Sequence, residues 1–312
     1  MGSYQNPKHT EGLAHFLEHM LFLGTQRYPL AGDYQTYISE HGGSHNASTS
    51  LEHTNYFFSI DADYLEDALD RFAPFFFEPT FDANYVNRER NAVESEYQLK
   101  LKSDSRRQWD VLREIVNPQH PLSKFTVGNN QTLVDGENGL LRDQLIKMYN
   151  HYYSANLMTL VVLGNESIDK LQTMVENQFR PVANNNRVIE PYNVPLVEAS
   201  RLPLKARVIP LKELRELSLL FELPQQDKNW KVKPATYLGE MIGYEGQGSL
   251  LQALKEKGWA ESLSAGPALS DRGATLFSID IGLTPEGYQH HEQILVELFA
   301  WLELIQQEGI ES

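Results

Sequence analysis

Residues 12–20 read Gly-Leu-Ala-His-Phe-Leu-Glu-His-Met and place two histidines, His15 and His19, four residues apart. Side chains at positions i and i+4 of a helix lie on one face, so both imidazoles can bind a single zinc ion. Glu18 lies at the edge of that face, where it can reach a metal site without entering the ligand set. The alternative is two surface histidines beside a solvated glutamate. This alternative is disfavoured because the neighbouring residues are apolar and would bury the polar groups without partners. These neighbours are Phe16, Leu17, Met20 and Leu21.

A hydrolytic zinc ion needs three protein ligands and one open position. The chain contains no cysteine, so the third ligand must be a histidine or a carboxylate. A long charged helix predicted over 84–103 offers Glu89, Glu94 and Glu96. Glu89 and Glu96 are seven residues apart and therefore share one helix face, two turns apart, with Val93 predicted to be buried between them. Spacing alone leaves the choice open, and a solvated charged face is the usual role of such a run.

The elements around the histidine helix predict an internal duplication. The order helix, helix, strand, strand, helix is expected over 12–78 and again over 234–305. The tetrapeptide Phe-Ser-Ile-Asp occurs at 58–61 and at 277–280, each time expected at the end of the second strand of the pair. Two copies of one supersecondary unit explain both observations.

Proline and asparagine are concentrated in residues 181–204, which predicts a linker. The expected domains are therefore a catalytic domain over 1–180 and a second, homologous domain over 205–312. Two further strands are predicted, a buried strand over 157–164 and another over 207–211.

The second copy lacks the metal-binding residues. At an offset of 221 residues, the positions of the two histidines and the glutamate are occupied by Thr236, Gly239 and Glu240. We therefore predict one metal ion per chain and a second domain that is not catalytic.

The composition of the 312-residue chain narrows the classes of function. Lys and Arg total 27 against 42 Asp and Glu, and the net charge of −15 argues against nucleic-acid binding, which needs a basic face. No apolar run is long enough to span a membrane. Hydrophobic residues make up 41% of the chain, enough for the core of two domains or one large one.

Together these motifs resemble the pitrilysin and insulin-degrading-enzyme family of inverzincin zinc metallopeptidases, and the bacterial pitrilysin branch most of all. The pattern His15-x-x-Glu18-His19 is followed 77 residues later by Glu96. The resemblance covers nearly the whole chain and is densest over 12–165. Further matching stretches are 43–49, 117–118, 123–125 and 153–157.

The resemblance implies an α+β fold with two homologous two-layer domains, each a mostly antiparallel sheet packed by helices. It implies one Zn²⁺ per chain held by His15, His19 and Glu96, with Glu18 as the catalytic base. Glu89 is implied as an auxiliary acidic residue near the site.

The strand predicted over 44–49 follows Gly42-Gly43 and carries small and polar residues, as an edge strand that adds a peptide would. An ordinary edge strand with turn-forming residues is the alternative interpretation. The resemblance implies that Asn46 and Ala47 contact the substrate on this strand.

Members of the pitrilysin branch are built from four homologous domains in two halves. The chain is therefore expected to be truncated at both ends, without the leading strands of the first domain, the rest of the second domain, and the C-terminal half, which would be its partner. The implied function is a zinc endopeptidase acting on peptides or short unfolded polypeptides. The alternatives are a non-catalytic peptide-binding or structural member, or an inactive isolated fragment. The resemblance favours the periplasm, and the cytoplasm stays open.

Overall fold

The computed structural model describes residues 1–137 and 139–309. The helices are α1 (Leu13–Leu21), α2 (Asp33–Glu40), α3 (Leu65–Phe72), α4 (Ala83–Lys100), α5 (Asp104–Ile115), α6 (Leu141–Tyr152), α7 (Ile168–Phe179), α8 (Pro234–Ile242), α9 (Leu250–Glu256), α10 (Pro285–Gln289) and α11 (His291–Glu308). The strands are β1 (Ser44–Thr49), β2 (Thr54–Ser59), β3 (Glu216–Pro224), β4 (Ala260–Ser270) and β5 (Ala274–Leu283).

These elements form two compact units. Unit 1 comprises residues 1–102, 112–114 and 121–190, and unit 2 comprises 103–111, 115–120 and the chain from Pro191 onward. The main division falls inside the segment expected to be a linker. The domain bounds themselves remain a prediction, and the last three residues of the predicted second domain lie outside the described residues.

Two short segments before residue 121 belong to unit 2, although the domain prediction places them in the first domain. Asp104 of α5 accepts hydrogen bonds from the backbone N–H groups of Leu211 and Lys212 at 2.8 and 3.0 Å. The N–H of Asn117 donates to the carbonyl of Leu196 at 2.7 Å. These bonds join segments that are distant in sequence, so the composition of a linker cannot reveal them.

Helix α1 lies in the core of unit 1 and contacts α4, α6 and β1. Its apolar face, which includes Phe16, Leu17 and Met20, is completely buried. The helix begins after Gly12, whose φ of 90° lies in the left-handed region. A Cβ at Gly12 would lie 2.2 Å from the Cα of Gly128, so only glycine fits this junction. The helix that carries both histidines is therefore held by packing along its length and at its start.

Strands β1 and β2 form an antiparallel hairpin in which Ser44 pairs with Ser59 and Thr49 with Thr54. Exposure alternates along β1, with Asn46 on the outer face and Ala47 and Thr49 half-buried on the inner face, towards α1. Among the described residues, β1 pairs only with β2, so its other edge is unpaired.

Unit 2 contains an antiparallel sheet in the order β3-β5-β4. Helices α8 and α9 contact β4, and α9 also contacts α11. Alternate residues of β5, such as Ile279 and Ile281, are buried in the core together with Leu298 of α11. The predicted order helix, helix, strand, strand, helix is confirmed in both units.

Three details of the predicted strands are wrong. The segment 158–164 pairs with no other strand in the described part of the chain, and its side chains at Val161 and Leu163 are 83% and 94% exposed. The segment 207–211 forms no strand either. The tetrapeptide at 277–280 lies in the middle of β5 rather than at its end. An apolar run becomes a strand only beside a hydrogen-bonding neighbour, and a local pattern does not supply one.

Candidate metal centre

Helices α1 and α4 bring three possible ligand atoms together. The Nε2 atoms of His15 and His19 lie 3.3 Å apart. Glu96 Oε2 lies 3.7 Å from His15 Nε2, and Glu96 Oε1 lies 3.6 Å from His19 Nε2. Tetrahedral zinc with bonds of about 2.0–2.1 Å places its ligand atoms about 3.4 Å apart. The donor set therefore fits zinc in its chemistry and in its spacing.

The orientation of α4 follows from one apolar side chain. Val93 is completely buried in the same core cluster as α1, as predicted, while the rest of α4 is half-buried or exposed. Because Val93 lies three residues before Glu96 and four after Glu89, it turns both carboxylates toward α1. Glu94 is directed elsewhere, since it accepts hydrogen bonds from the Asn130 N–H and from the Gln98 amide.

A backbone carbonyl fixes the orientation of His15. The Nδ1 atom of His15 lies 2.7 Å from the carbonyl oxygen of Val127, and a carbonyl can only accept. In the neutral imidazole the proton is therefore on Nδ1, and the lone pair of Nε2 faces the ligand group. Burial lowers the pKa of His15, and the neighbouring His19 lowers it further. Both effects favour the neutral form that binds a metal.

His19 has an acidic partner. Its Nδ1 lies 3.5 Å from Glu89 Oε2, and Arg88 contacts the other oxygen of Glu89. Burial opposes protonation of His19, but its hydrogen bond with Glu89 and the negative charges of Glu96 and Glu18 outweigh burial and raise its pKa. The hydrogen bond with His19 lowers the pKa of Glu89. Glu89 therefore contacts the imidazole of His19 as a carboxylate.

Glu18 is 7% exposed and lies between α1 and the hairpin. The hydroxyl of Thr49, at the end of β1, donates a hydrogen bond to Glu18 Oε2. Burial raises the pKa of Glu18, whereas the Thr49 hydrogen bond and the charge of His19 lower it, and burial prevails. A carboxylate with a raised pKa beside a metal site is suited to accept and return a proton.

The predicted substrate residues lie on the strand that reaches Glu18. Asn46 and Ala47 precede Thr49 on β1 by three and two residues. Asn46 is exposed, and its side-chain oxygen accepts the N–H of Ala47 at 2.9 Å. Among the described residues, no hydrogen bond or ion pair joins Asn46 or Ala47 to the three candidate ligands.

Sequence reasoning missed the residues that support the site. Val127 contributes a main-chain carbonyl, which no pattern of side chains can reveal. Thr49 carries a usable signal, because the period of two along β1 places it on the inner face with Ala47.

Two regions of the chain match descriptions of one peptidase family. Residues 1–126 match "Insulinase (Peptidase family M16)", and residues 140–312 match "Peptidase M16 inactive domain". The chain belongs to peptidase family M16. The expected family is confirmed, and the inactive-domain match includes α8, which lacks the histidines.

Relatives of this M16 chain are much longer than it is. Insulin-degrading enzyme of Bos taurus is 42% identical over 312 residues, which cover 99% of this chain and 31% of the relative. A-factor-processing enzyme of Saccharomyces cerevisiae is 41% identical over 308 residues, which cover 98% and 30%. The chain thus spans about a third of the length of these relatives.

The crystal structure of pitrilysin superposes on the M16 chain with a TM-score of 0.93 at 32% sequence identity, covering 100% of this chain and 33% of that one. The predicted pitrilysin-like fold of mixed helices and antiparallel sheets is therefore confirmed. Identity to the cattle and yeast enzymes exceeds identity to pitrilysin, although the sequence motifs favoured the bacterial branch.

Family M16 is a family of zinc metallopeptidases. Within the residues that the structure describes, no helix has the length and apolar character needed to cross a bilayer.

Proposed function

We propose that this chain carries the catalytic zinc centre of a metalloendopeptidase that hydrolyses peptides or short unfolded polypeptides. One observation supports this proposal most directly. The Nε2 atoms of His15 and His19 lie 3.3 Å apart, and each lies within 3.7 Å of one oxygen of Glu96, beside the buried carboxylate of Glu18.

His15, His19 and Glu96 would hold one Zn²⁺. When bound, zinc would polarise the scissile carbonyl and acidify a water molecule. The Val127 carbonyl would keep His15 in the tautomer that leaves Nε2 free. Glu89 would hold His19 through Nδ1 in the same way, because a carboxylate partner orients a ligand imidazole and increases its basicity.

Glu18 would act as the general base. Its carboxylate would accept a proton from the attacking water and return that proton to the nitrogen of the leaving amine. Burial supports this role, because the raised pKa of Glu18 makes the carboxylate a better proton acceptor than an exposed glutamate.

The substrate would bind as an added strand along the unpaired edge of β1. Main-chain hydrogen bonds to an edge strand recognise a peptide without demanding one sequence, and Asn46 and Ala47 would lie at that contact. The greater length of the relatives supports a C-terminal half as a partner in the complete protein.

Replacing the base while keeping the ligands tests this proposal. In Glu18→Gln, we expect cleavage of a fluorogenic unstructured peptide to fall by about 100-fold to 10,000-fold, the usual contribution of a general base. Zinc content should stay near that of the unmodified protein, because Glu18 is not a ligand. The matched control is Glu240→Gln, an exposed glutamate on α8, which should cleave normally.

Undiminished cleavage by Glu18→Gln would contradict the proposal. A zinc-loaded protein that binds the peptide and returns it uncut would instead support a non-catalytic peptide-binding member. The assay compares this chain alone with a longer form that includes the C-terminal half. Cleavage only by the longer form would identify the chain as an inactive part of the peptidase.

A further inference from the structure

We infer that Thr49 is a positioning residue for the base Glu18: its hydroxyl holds the Glu18 carboxylate in the orientation needed to take a proton from water. This inference rests on the function proposed above. The Thr49 hydroxyl donates to Oε2 of Glu18. Thr49 does not belong to α1, where the base and two ligands lie, but to the strand that faces that helix.

The hydroxyl of Thr49 has one proton, and its neighbours determine where that proton points. Thr54, its partner in the hairpin, lies 3.3 Å away, oxygen to oxygen. The Glu18 carboxylate can only accept, so the Thr49 proton must be directed to Glu18. Thr49 can then only accept from Thr54. The Thr54 hydroxyl also donates to the carbonyl oxygen of Met1, at 3.0 Å between the two oxygens.

Removing the Thr49 hydroxyl would leave a buried carboxylate oxygen of Glu18 without a hydrogen-bond donor. Glu18 is 7% exposed, and the bond from Thr49 is the only hydrogen bond recorded for its side chain among the described residues. A buried acceptor without a donor is costly, so the carboxylate would turn to find another partner. With Oε2 held by Thr49, the second oxygen of Glu18 is left to receive the proton of the attacking water.

The position of Thr49 also links the base to the substrate. The unpaired edge of β1, which carries Asn46 and Ala47, is where the peptide is proposed to add. Thr49 is the last residue of that same strand. The strand that aligns the peptide therefore also aligns the base, and both are held by one hairpin.

Three variants separate positioning from hairpin stability. Thr49→Val keeps the shape of the side chain and removes the proton, and we expect kcat to fall roughly 10-fold to 100-fold with KM little changed. Thr49→Ser restores the hydroxyl and should recover most of kcat. Thr54→Val removes the neighbouring hydroxyl, which makes no hydrogen bond to Glu18, and should keep kcat near normal. Zinc content, measured for each variant, should not change.

A readout that needs no turnover accompanies the kinetics. Crystal structures of the variants should show the Glu18 carboxylate in its original orientation in Thr49→Ser and rotated away in Thr49→Val. An unmoved carboxylate in Thr49→Val, or an equal loss of kcat in Thr54→Val, would overturn the role of Thr49. If Glu18→Gln is inactive while Thr49→Val is fully active, the positioning inference alone fails. If Glu18→Gln is active, the proposed function fails instead.

Discussion

The histidine helix of unit 1, α1, and its counterpart in unit 2, α8, have the same length and similar surroundings. Helices α1 and α8 both have nine residues, and they begin 221 residues apart. Each begins after a residue in the left-handed region, Gly12 at φ 90° and Lys233 at φ 46°. Each faces a hairpin in which two hydroxyls meet near the turn. In unit 1 these are Thr49 and Thr54, 3.3 Å apart, and in unit 2 they are Ser270 and Thr275, 3.0 Å apart.

The two copies differ in the space between helix and strand. In unit 1 that space holds the side chain of Glu18. In unit 2 the corresponding residue is Gly239, and a Cβ there would lie only 2.6 Å from the carbonyl oxygen of Ala265 on β4. The strand has closed onto the helix where unit 1 leaves room for a carboxylate. The same arrangement of helix and hairpin therefore holds the candidate metal centre in unit 1 and is closely packed in unit 2. The distance between helix and strand distinguishes the two.

The largest expected effect comes from removing a proposed ligand in unit 1. His15→Ala should weaken zinc binding by more than about 100-fold, because even the loss of an outer partner of a ligand costs about 10-fold to 100-fold. Competition with a coloured chelator measures the affinity. The control is His290→Ala, since His290 is in unit 2 and bonds to Glu286. Unchanged affinity in His15→Ala would remove the contrast in metal binding between the copies.

Filling the gap in unit 2 tests the other side of the comparison. Gly239→Ala should destabilise the protein by about 1–3 kcal/mol, because the added methyl group meets β4 backbone. Urea unfolding measures the loss. Gly266→Ala on β4 is the matched control, since a Cβ there meets nothing within 4 Å. If both variants are equally stable, close packing does not explain why unit 2 lacks the acid.

Acidification should affect the metal centre through His19. Zinc binds the neutral imidazole, and the raised pKa of His19 means that protons compete at a higher pH than for an ordinary histidine. Affinity should therefore fall as the pH drops through that raised pKa, by up to about tenfold per pH unit.

Removing the carboxylate partner of His19 isolates the cause. In Glu89→Gln the fall in zinc affinity should begin at a lower pH, because the hydrogen bond that raises the pKa of His19 is weakened. Glu94→Gln, on the same helix but bonded to Asn130, should leave the pH dependence unchanged. Identical profiles for the two variants would exclude Glu89 as the partner that controls His19.

The smallest effect concerns the start of α8. Lys233 occupies the left-handed conformation that glycine occupies before α1. Lys233→Gly should stabilise the protein by roughly 0.5–1 kcal/mol, because the strain of a side chain at positive φ is relieved. Thermal unfolding measures the gain. Lys231→Gly, two residues earlier and outside the left-handed region, should bring no such gain.

The sequence alone could predict the repeated order of elements and the two histidines of the candidate metal centre. An α-helix has a fixed 3.6-residue turn, so the spacing of His15 and His19 placed them on one face before any tertiary contact was known. The repeated order of elements and the burial of Val93 followed from hydrophobic periodicity in the same way. Helical geometry is local, which is why these predictions are confirmed.

Tertiary structure decided everything that depends on a neighbour distant in sequence. Spacing placed Glu89 and Glu96 on one helix face but left the choice of third ligand open, and the packing of α4 against α1 brought Glu96 to both histidines. The segment 157–164 is apolar enough for a strand, yet strand formation requires a second strand beside it. The Thr49 hydroxyl meets Glu18 only because the hairpin folds against α1. Periodicity acts within a few residues, whereas ligand choice, strand pairing and proton position depend on which distant groups the fold brings into contact.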